Sequence, residues 1–190
     1  MNYALLHALN GFVAHRDAVE DPVELYMRVS QVLFVGLVVA VFVFFDRRGA
    51  RGAVAALGSA ALALVVGLVI AHVVNEPRPF VAHPNSVHAL IAHKPDASFP
   101  SDHATAAFAT ATAIWLRLRG IGAIVLVLAA ALAVGRVAAG VHYPLDVAAG
   151  AALGTGAAVL LWWAPLRRVT DAVADRLSTI APWHARPERS

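Results

Sequence analysis

Four long apolar runs, at residues 29–45, 53–74, 121–141 and 145–164, divide the chain. Each lies within or near the roughly 17 to 25 residues that an α-helix needs to cross the hydrocarbon core of a bilayer. A fifth run, residues 102–116, alternates Ala with Thr, a pattern suited to close packing between helices, and it predicts an inner helix of a bundle. At about 1.5 Å per residue such a helix covers roughly 22 Å, short of a core roughly 30 Å thick. Either it continues through Arg117 to Arg119, or its start is recessed below the membrane surface. Residues 1–15 space Tyr3, Leu5, Leu6, Leu9, Phe12 and Val13 amphipathically, with neither a cationic start nor a long apolar run. They predict an interfacial helix, not a signal peptide. The expected fold is therefore all-α: a polytopic membrane helical bundle of about five transmembrane helices plus an N-terminal interfacial helix. Residues 1–170 read as a single membrane-embedded domain and 171–190 as a C-terminal cytoplasmic tail, polar and Pro-containing from 182 and expected to fray.

Composition agrees with a bilayer setting. Hydrophobic residues make up 59% of the chain and charged ones 14%, and the mean hydropathy is +0.69. Without cysteine there is no disulfide framework and no thiolate metal site. The net charge of +3 is dispersed at the ends of apolar runs and forms no basic stripe, which argues against nucleic acid as a partner. Five crossings put residues 46–52, 117–120 and 165–190 on one side, which holds ten of the fifteen Lys and Arg against four of the twelve acids. The positive-inside tendency makes that side cytoplasmic. The loop at 75–101 then faces outward.

The polar chemistry collects at three places on that outward side. Arg78-Pro79 follows the second span, Pro100-Ser101-Asp102-His103 opens the inner helix, and Arg136, His142 and Asp146 bridge the last two spans. Ser101 can cap the inner helix, leaving first-turn N–H groups as an anion site beside His103. Arg78 and Arg136 offer planar forks for phosphate oxygens, and a membrane-edge arginine is costly unless paired or functional. Pro144 can start a helix with Asp146 in its first turn, from which the carboxylate can reach back to His142. A carboxylate on one ring nitrogen leaves the other as a nucleophile, and a second histidine supplies a proton donor for a leaving oxygen.

These motifs, "PSDH" at 100–103 and "GRVAAGVHYPLD" at 135–146, resemble those of the type 2 phosphatidic-acid phosphatase superfamily. Its pattern is Lys-x6-Arg-Pro, then Pro-Ser-Gly-His, then Ser-Arg-x5-His-x3-Asp. The phrases "EPRPFVAH", "DASFPSDH" and "VHYPLDV" bring the chain nearer to the bacitracin-resistance-type undecaprenyl-diphosphatases. The resemblance runs from the N-terminus to about Trp163. It implies a haloperoxidase-like helical bundle in a bacterial plasma membrane, with the active site on the extracytoplasmic face. The implied activity is release of inorganic phosphate from undecaprenyl diphosphate, which recycles the cell-wall carrier lipid and lowers sensitivity to bacitracin. His142 would attack phosphorus, Asp146 would orient it, and His103 would protonate the departing oxygen and later activate water. Arg78, Arg136 and Ser101, with Asp102 beside them, would hold the phosphate. The implied partners are a polyprenyl diphosphate lipid and the bilayer, with no metal and no cofactor.

Three positions depart from the superfamily's pattern. Ala71 stands where its lysine belongs, Gly135 replaces the serine, and Asp102 replaces glycine, an exchange shared with the undecaprenyl-diphosphatase pattern. His83, His88 and His93 read as solvated loop side chains, since a spacing of five matches no single helix face and offers no metal site. Trp115, Trp162 and Trp163 read as interface anchors, and Gly150, Gly154 and Gly156 as tight helix packing. Rival readings are a phosphatidylglycerophosphate or phosphatidate phosphatase, a haloperoxidase, and a transporter. The last would place polar residues at mid-depth in spans that are nearly pure Ala, Val, Leu and Gly.

Overall fold

A computed structural model describes residues 2–180, and every regular element among them is helical. In chain order the helices are α1 (Asn2–Val13), α2 (Asp17–Phe44), α3 (Arg47–Val74), α4 (Pro79–Ala82), α5 (Asp102–Arg117), α6 (Arg119–Ala138), α7 (Pro144–Trp162) and α8 (Ala164–Ile180). Helices α2, α3, α6 and α7 are each long and apolar enough to cross a membrane. Val32, Val39, Leu57, Leu68 and Val127 stay exposed on them, an apolar surface of the kind that lipid covers. The chain is a membrane protein.

The inner helix is α5, packed against α3, α6 and α7. Its small side chains, among them Ala104, Ala107, Ala109, Ala111 and Ala113, are buried. They let the neighbouring backbones come close. A Cβ on Gly154 would run into the backbone of Thr105 and Ala109, and one on Gly150 into the carbonyl of Ser101. Helices α7 and α5 therefore touch backbone to backbone, as expected for these two glycines, whereas Gly156 has open space around it. Helix α5 stops at Arg117, with Leu118 as its cap, and does not run on through Arg119.

Helix α2 begins at Asp17, well before the apolar run at 29, with Asp17 and Glu20 in its first turn, where the helix dipole favours acids. Asp46 starts α3 by accepting N–H bonds from Arg48 and Gly49. At the opposite end of the bundle from the polar motifs, Arg51 and Arg117 pair with Asp175 and Asp171 of α8. The guanidinium carbons of Arg117 and Arg119 lie over the rings of Trp162 and Trp115 at 4.9 and 3.9 Å. Helix α8 thus continues across residue 170 and docks on the bundle. The segment expected to fray, 182–190, lies outside the described residues.

Helix α1 is pinned to the polar end by Asn10, which is fully buried. Its amide donates to the carbonyls of His88 and Ala138, both at 2.8 Å, and its oxygen accepts the N–H of His88 at 2.9 Å. Replacing Asn10 with alanine strands the part-buried N–H and carbonyl of His88 and the buried carbonyl of Ala138. With about 1–3 kcal/mol for each group left unpaired, and about 2–4 °C per kcal/mol in a chain of this size, the melting temperature in detergent is expected to fall by roughly 5 °C or more.

Candidate active site

A tight turn brings the third motif together. Gly140, at φ +73°, sits between α6 and α7, where a Cβ would strike the carbonyl of His88, so only glycine fits. The turn places Arg136, in the last turn of α6, next to His142, their Nη2 and Nε2 atoms 3.4 Å apart. Pro144 opens α7, and Asp146 Oδ2 accepts the N–H of Tyr143 at 2.8 Å, which caps that helix.

The other two motifs reach the same point through the loop from 83 to 101. Its far end returns to the end of α3. Ala97 bridges Pro77, and the Ser98 N–H donates to the Glu76 carbonyl at 2.8 Å. Arg78 then donates from Nη1 to His142 Nε2 at 3.0 Å and to the Val141 carbonyl at 3.1 Å, and from Nε to Asp96 at 2.7 Å. Ser101 caps α5 by accepting from the Ala104 N–H, and its own N–H donates to the Asp146 carbonyl at 3.1 Å. The first-turn amides of Asp102 and His103 are left without helical partners. His103 interacts electrostatically with Arg136, His142, His93 and Arg78. It also lines, with Asp102, one end of a cavity of about 530 Å³. The rest of that cavity is mostly apolar, bounded by residues such as Phe34, Val38, Leu64 and Leu132 of α2, α3 and α6.

His142 is buried, and its two nitrogens face different groups. Nδ1 lies 2.9 Å from the Ser98 carbonyl, which can only accept, so the proton sits on Nδ1 and the lone pair on Nε2. Burial, with Arg136 and Arg78 nearby, holds the imidazole well below its ordinary pKa and therefore neutral. Nε2 thus keeps its lone pair, which accepts from Arg78 and faces Arg136.

The carboxylate expected to hold the imidazole does so at one remove. Asp146 Oδ2 lies 3.5 Å from Nδ1, but it accepts the Ser98 hydroxyl at 2.5 Å. Ser98 supplies both the carbonyl that fixes the ring and the hydroxyl that ties it to Asp146. It occurs in the quoted "DASFPSDH", but only the folded loop reveals its partners. If this bridge orients the nucleophile, Ser98→Ala lowers kcat about 10- to 100-fold with KM nearly unchanged. Steady-state kinetics on a lipid phosphate checks the split.

Arg136 is almost completely buried, and its Nε has no hydrogen-bond partner. Among the described residues it forms no ion pair, and Arg78 is paired only with Asp96. A buried cation without a counterion costs several kcal/mol, so the arrangement favours an anion entering between the two arginines. The structure brings Arg78, Arg136, His142, Asp146 and Ser101 into one connected network, with His103 and Asp102 at its edge. Asp96 and Ser98, from the phrase "DASFPSDH" but given no role by the sequence, and His93, outside every motif, join it.

Residues 52–170 match the PAP2 superfamily. The chain is 36% identical over 148 residues to undecaprenyl-diphosphatase BcrC of Bacillus subtilis (strain 168), covering 77% of this chain and 75% of that protein. It is 42% identical over 102 residues to the bacitracin transport permease protein BcrC of Bacillus licheniformis, covering 54% and 50%. The crystal structure of Aquifex aeolicus LpxE is similar with a TM-score of 0.65 at 26% identity, covering 84% of this chain and 93% of that one.

Proposed function

The chain belongs to the PAP2 superfamily, and on that premise we propose that it is an undecaprenyl-diphosphate phosphatase, releasing inorganic phosphate and leaving undecaprenyl phosphate. The observation that carries this reading is the neutral His142 Nε2 set between two buried guanidinium groups, Arg78 at 3.0 Å and Arg136 at 3.4 Å. A terminal phosphoryl group entering there meets nucleophile and countercharge together. Nε2 bonds to phosphorus as the bond to the bridging oxygen breaks, and His103, protonated once the phosphate charge offsets the nearby arginines, gives that oxygen its proton. Water then attacks the phosphohistidine, with His103 taking its proton, and phosphate departs. Arg78, Arg136, Ser101 and the first-turn amides of α5 hold the equatorial oxygens, and Asp102 stands at the rim. His142 keeps its tautomer through the Ser98 carbonyl, with Asp146 behind it.

The apolar cavity supports a lipid substrate. It starts at His103 and Asp102 and runs between α2, α3, α5 and α6, so a substrate seated with its phosphate on His142 has an oily channel for its chain on the leaving-group side. The distribution of basic residues supports an active site on the extracytoplasmic face of the plasma membrane, with residues 171–190 in the cytoplasm.

The test uses purified protein in detergent with undecaprenyl diphosphate, phosphatidylglycerophosphate and phosphatidate, each with and without chelator. Phosphate release is expected to be fastest from the diphosphate and insensitive to chelator. Faster release from either phosphatidyl substrate would replace the substrate, and loss of activity with chelator would replace the metal-free chemistry.

A further inference from the structure

The loop from 83 to 101 carries three histidines that the sequence leaves alike, and the structure separates them. His88 is exposed, edge-on to His15. His83 packs on Tyr3, ring centres 4.3 Å apart, and meets the Tyr143 ring edge-on. His93 turns inward: its side chain is 17% exposed, and its ring stands edge-on to the His142 ring with centres 6.3 Å apart.

Its surroundings are those of the phosphate site. His93 Nδ1 lies 3.1 Å from the Lys94 carbonyl and 3.7 Å from Asp96 Oδ1, the same oxygen that receives Arg78 Nε. A carbonyl only accepts, so Nδ1 carries the proton and Nε2 is the nitrogen left for a ligand. The charged and titratable groups facing His93 come from every neighbouring element. They are Arg78 before α4, Asp96 on its own loop, Asp102 and His103 on α5, Arg136 on α6, and His142 in the α6–α7 turn.

We propose that His93 is a third substrate-contacting imidazole, which binds the phosphate from the loop side and is positioned, together with Arg78, by Asp96. This rests on the phosphatase reading of the site. Burial, helped by Arg78 and Arg136, holds His93 below its ordinary pKa and so neutral. A phosphate dianion offsets the two guanidinium charges and favours the imidazolium. Binding of the anion therefore takes up a proton at Nε2, which then donates a charge-assisted hydrogen bond to a phosphate oxygen.

The probe is tungstate, a tetrahedral dianion that does not titrate near neutrality, added calorimetrically to the purified full-length chain in detergent. His93→Ala is expected to weaken binding about tenfold, the value of one charge-assisted hydrogen bond. In the parent, affinity falls as pH rises from about 6 to about 8.5, and heats in buffers of different ionisation enthalpy report proton uptake. In His93→Gln, which keeps size and a donor without titrating, both the pH slope and the uptake shrink. His103 and His142 remain in that variant, so the difference isolates His93. If the alanine variant fails to fold, the glutamine variant carries the comparison. Equal affinity and equal proton uptake in parent and His93→Gln would overturn the proposal. Because tungstate binding needs no lipid, a parent that ignores undecaprenyl diphosphate while the tungstate results hold would sink the substrate reading alone.

Discussion

Replacing His142 with alanine is expected to abolish phosphate release from the lipid diphosphate, with a loss of at least about 10⁴-fold, the scale seen when a covalent nucleophile is removed. The size follows from the geometry. Nε2 is the lone pair held between Arg78 and Arg136, and its tautomer is fixed by the Ser98 carbonyl. His93 has its ring edge toward His142 but its Nδ1 committed to Lys94, and His103 stands at the cavity end, so neither occupies the same position. The two arginines would still bind substrate, so the variant is expected to keep affinity for tungstate while losing turnover. Rapid quenching with a labelled terminal phosphate should trap an acid-labile phosphoprotein in the parent and none in the variant. Retention of the parental rate by His142→Ala would remove the nucleophile from the mechanism.

His103→Ala carries the second large effect, a fall in turnover of about 10²- to 10⁴-fold, as for loss of a general acid–base group. His103 sits in the first turn of α5 and lines the apolar cavity beside Asp102. The lipid is attached through the leaving oxygen, so that oxygen must point toward the cavity. On the proposed mechanism the acid waits on the side from which the lipid departs. If protonation of that oxygen is its first task, the loss should be smaller for an aryl phosphate, whose leaving group needs less help. A uniform loss across substrates would instead assign His103 to water activation in the second half-reaction.

Much of this arrangement was legible in the chain because its signals are local. The four apolar runs became α2, α3, α6 and α7. Ser101 and the Pro144/Asp146 pair became helix starts through short-range capping. The small-residue run at 102–116 became the buried inner helix. Other parts were not local. The polar start of α2 extends a helix beyond its apolar stretch, where hydropathy has nothing to register. Ser98, Asp96 and His93 sit on an irregular loop, and their partners lie far along the chain, so no periodicity marks them. Asn10 carries no mark in the amphipathic spacing of residues 1–15, yet it bridges to residues 88 and 138. The direct carboxylate contact expected for His142 became a hydroxyl bridge because Asp146 was also needed to cap α7.

The glycine seam between α5 and α7 has a mechanical consequence. His103 rides on one of these helices, and His142 immediately precedes the other. Where Gly150 and Gly154 allow main chain to rest on main chain, the spacing of the two helices does not depend on how side chains between them repack. The proposed acid and nucleophile are thus carried on a stiff chassis. Swings in bilayer thickness or fluidity should fall on the lipid-facing sides of α2, α3 and α6 that bound the cavity, and so change how readily substrate is admitted while the chemical step keeps its pace.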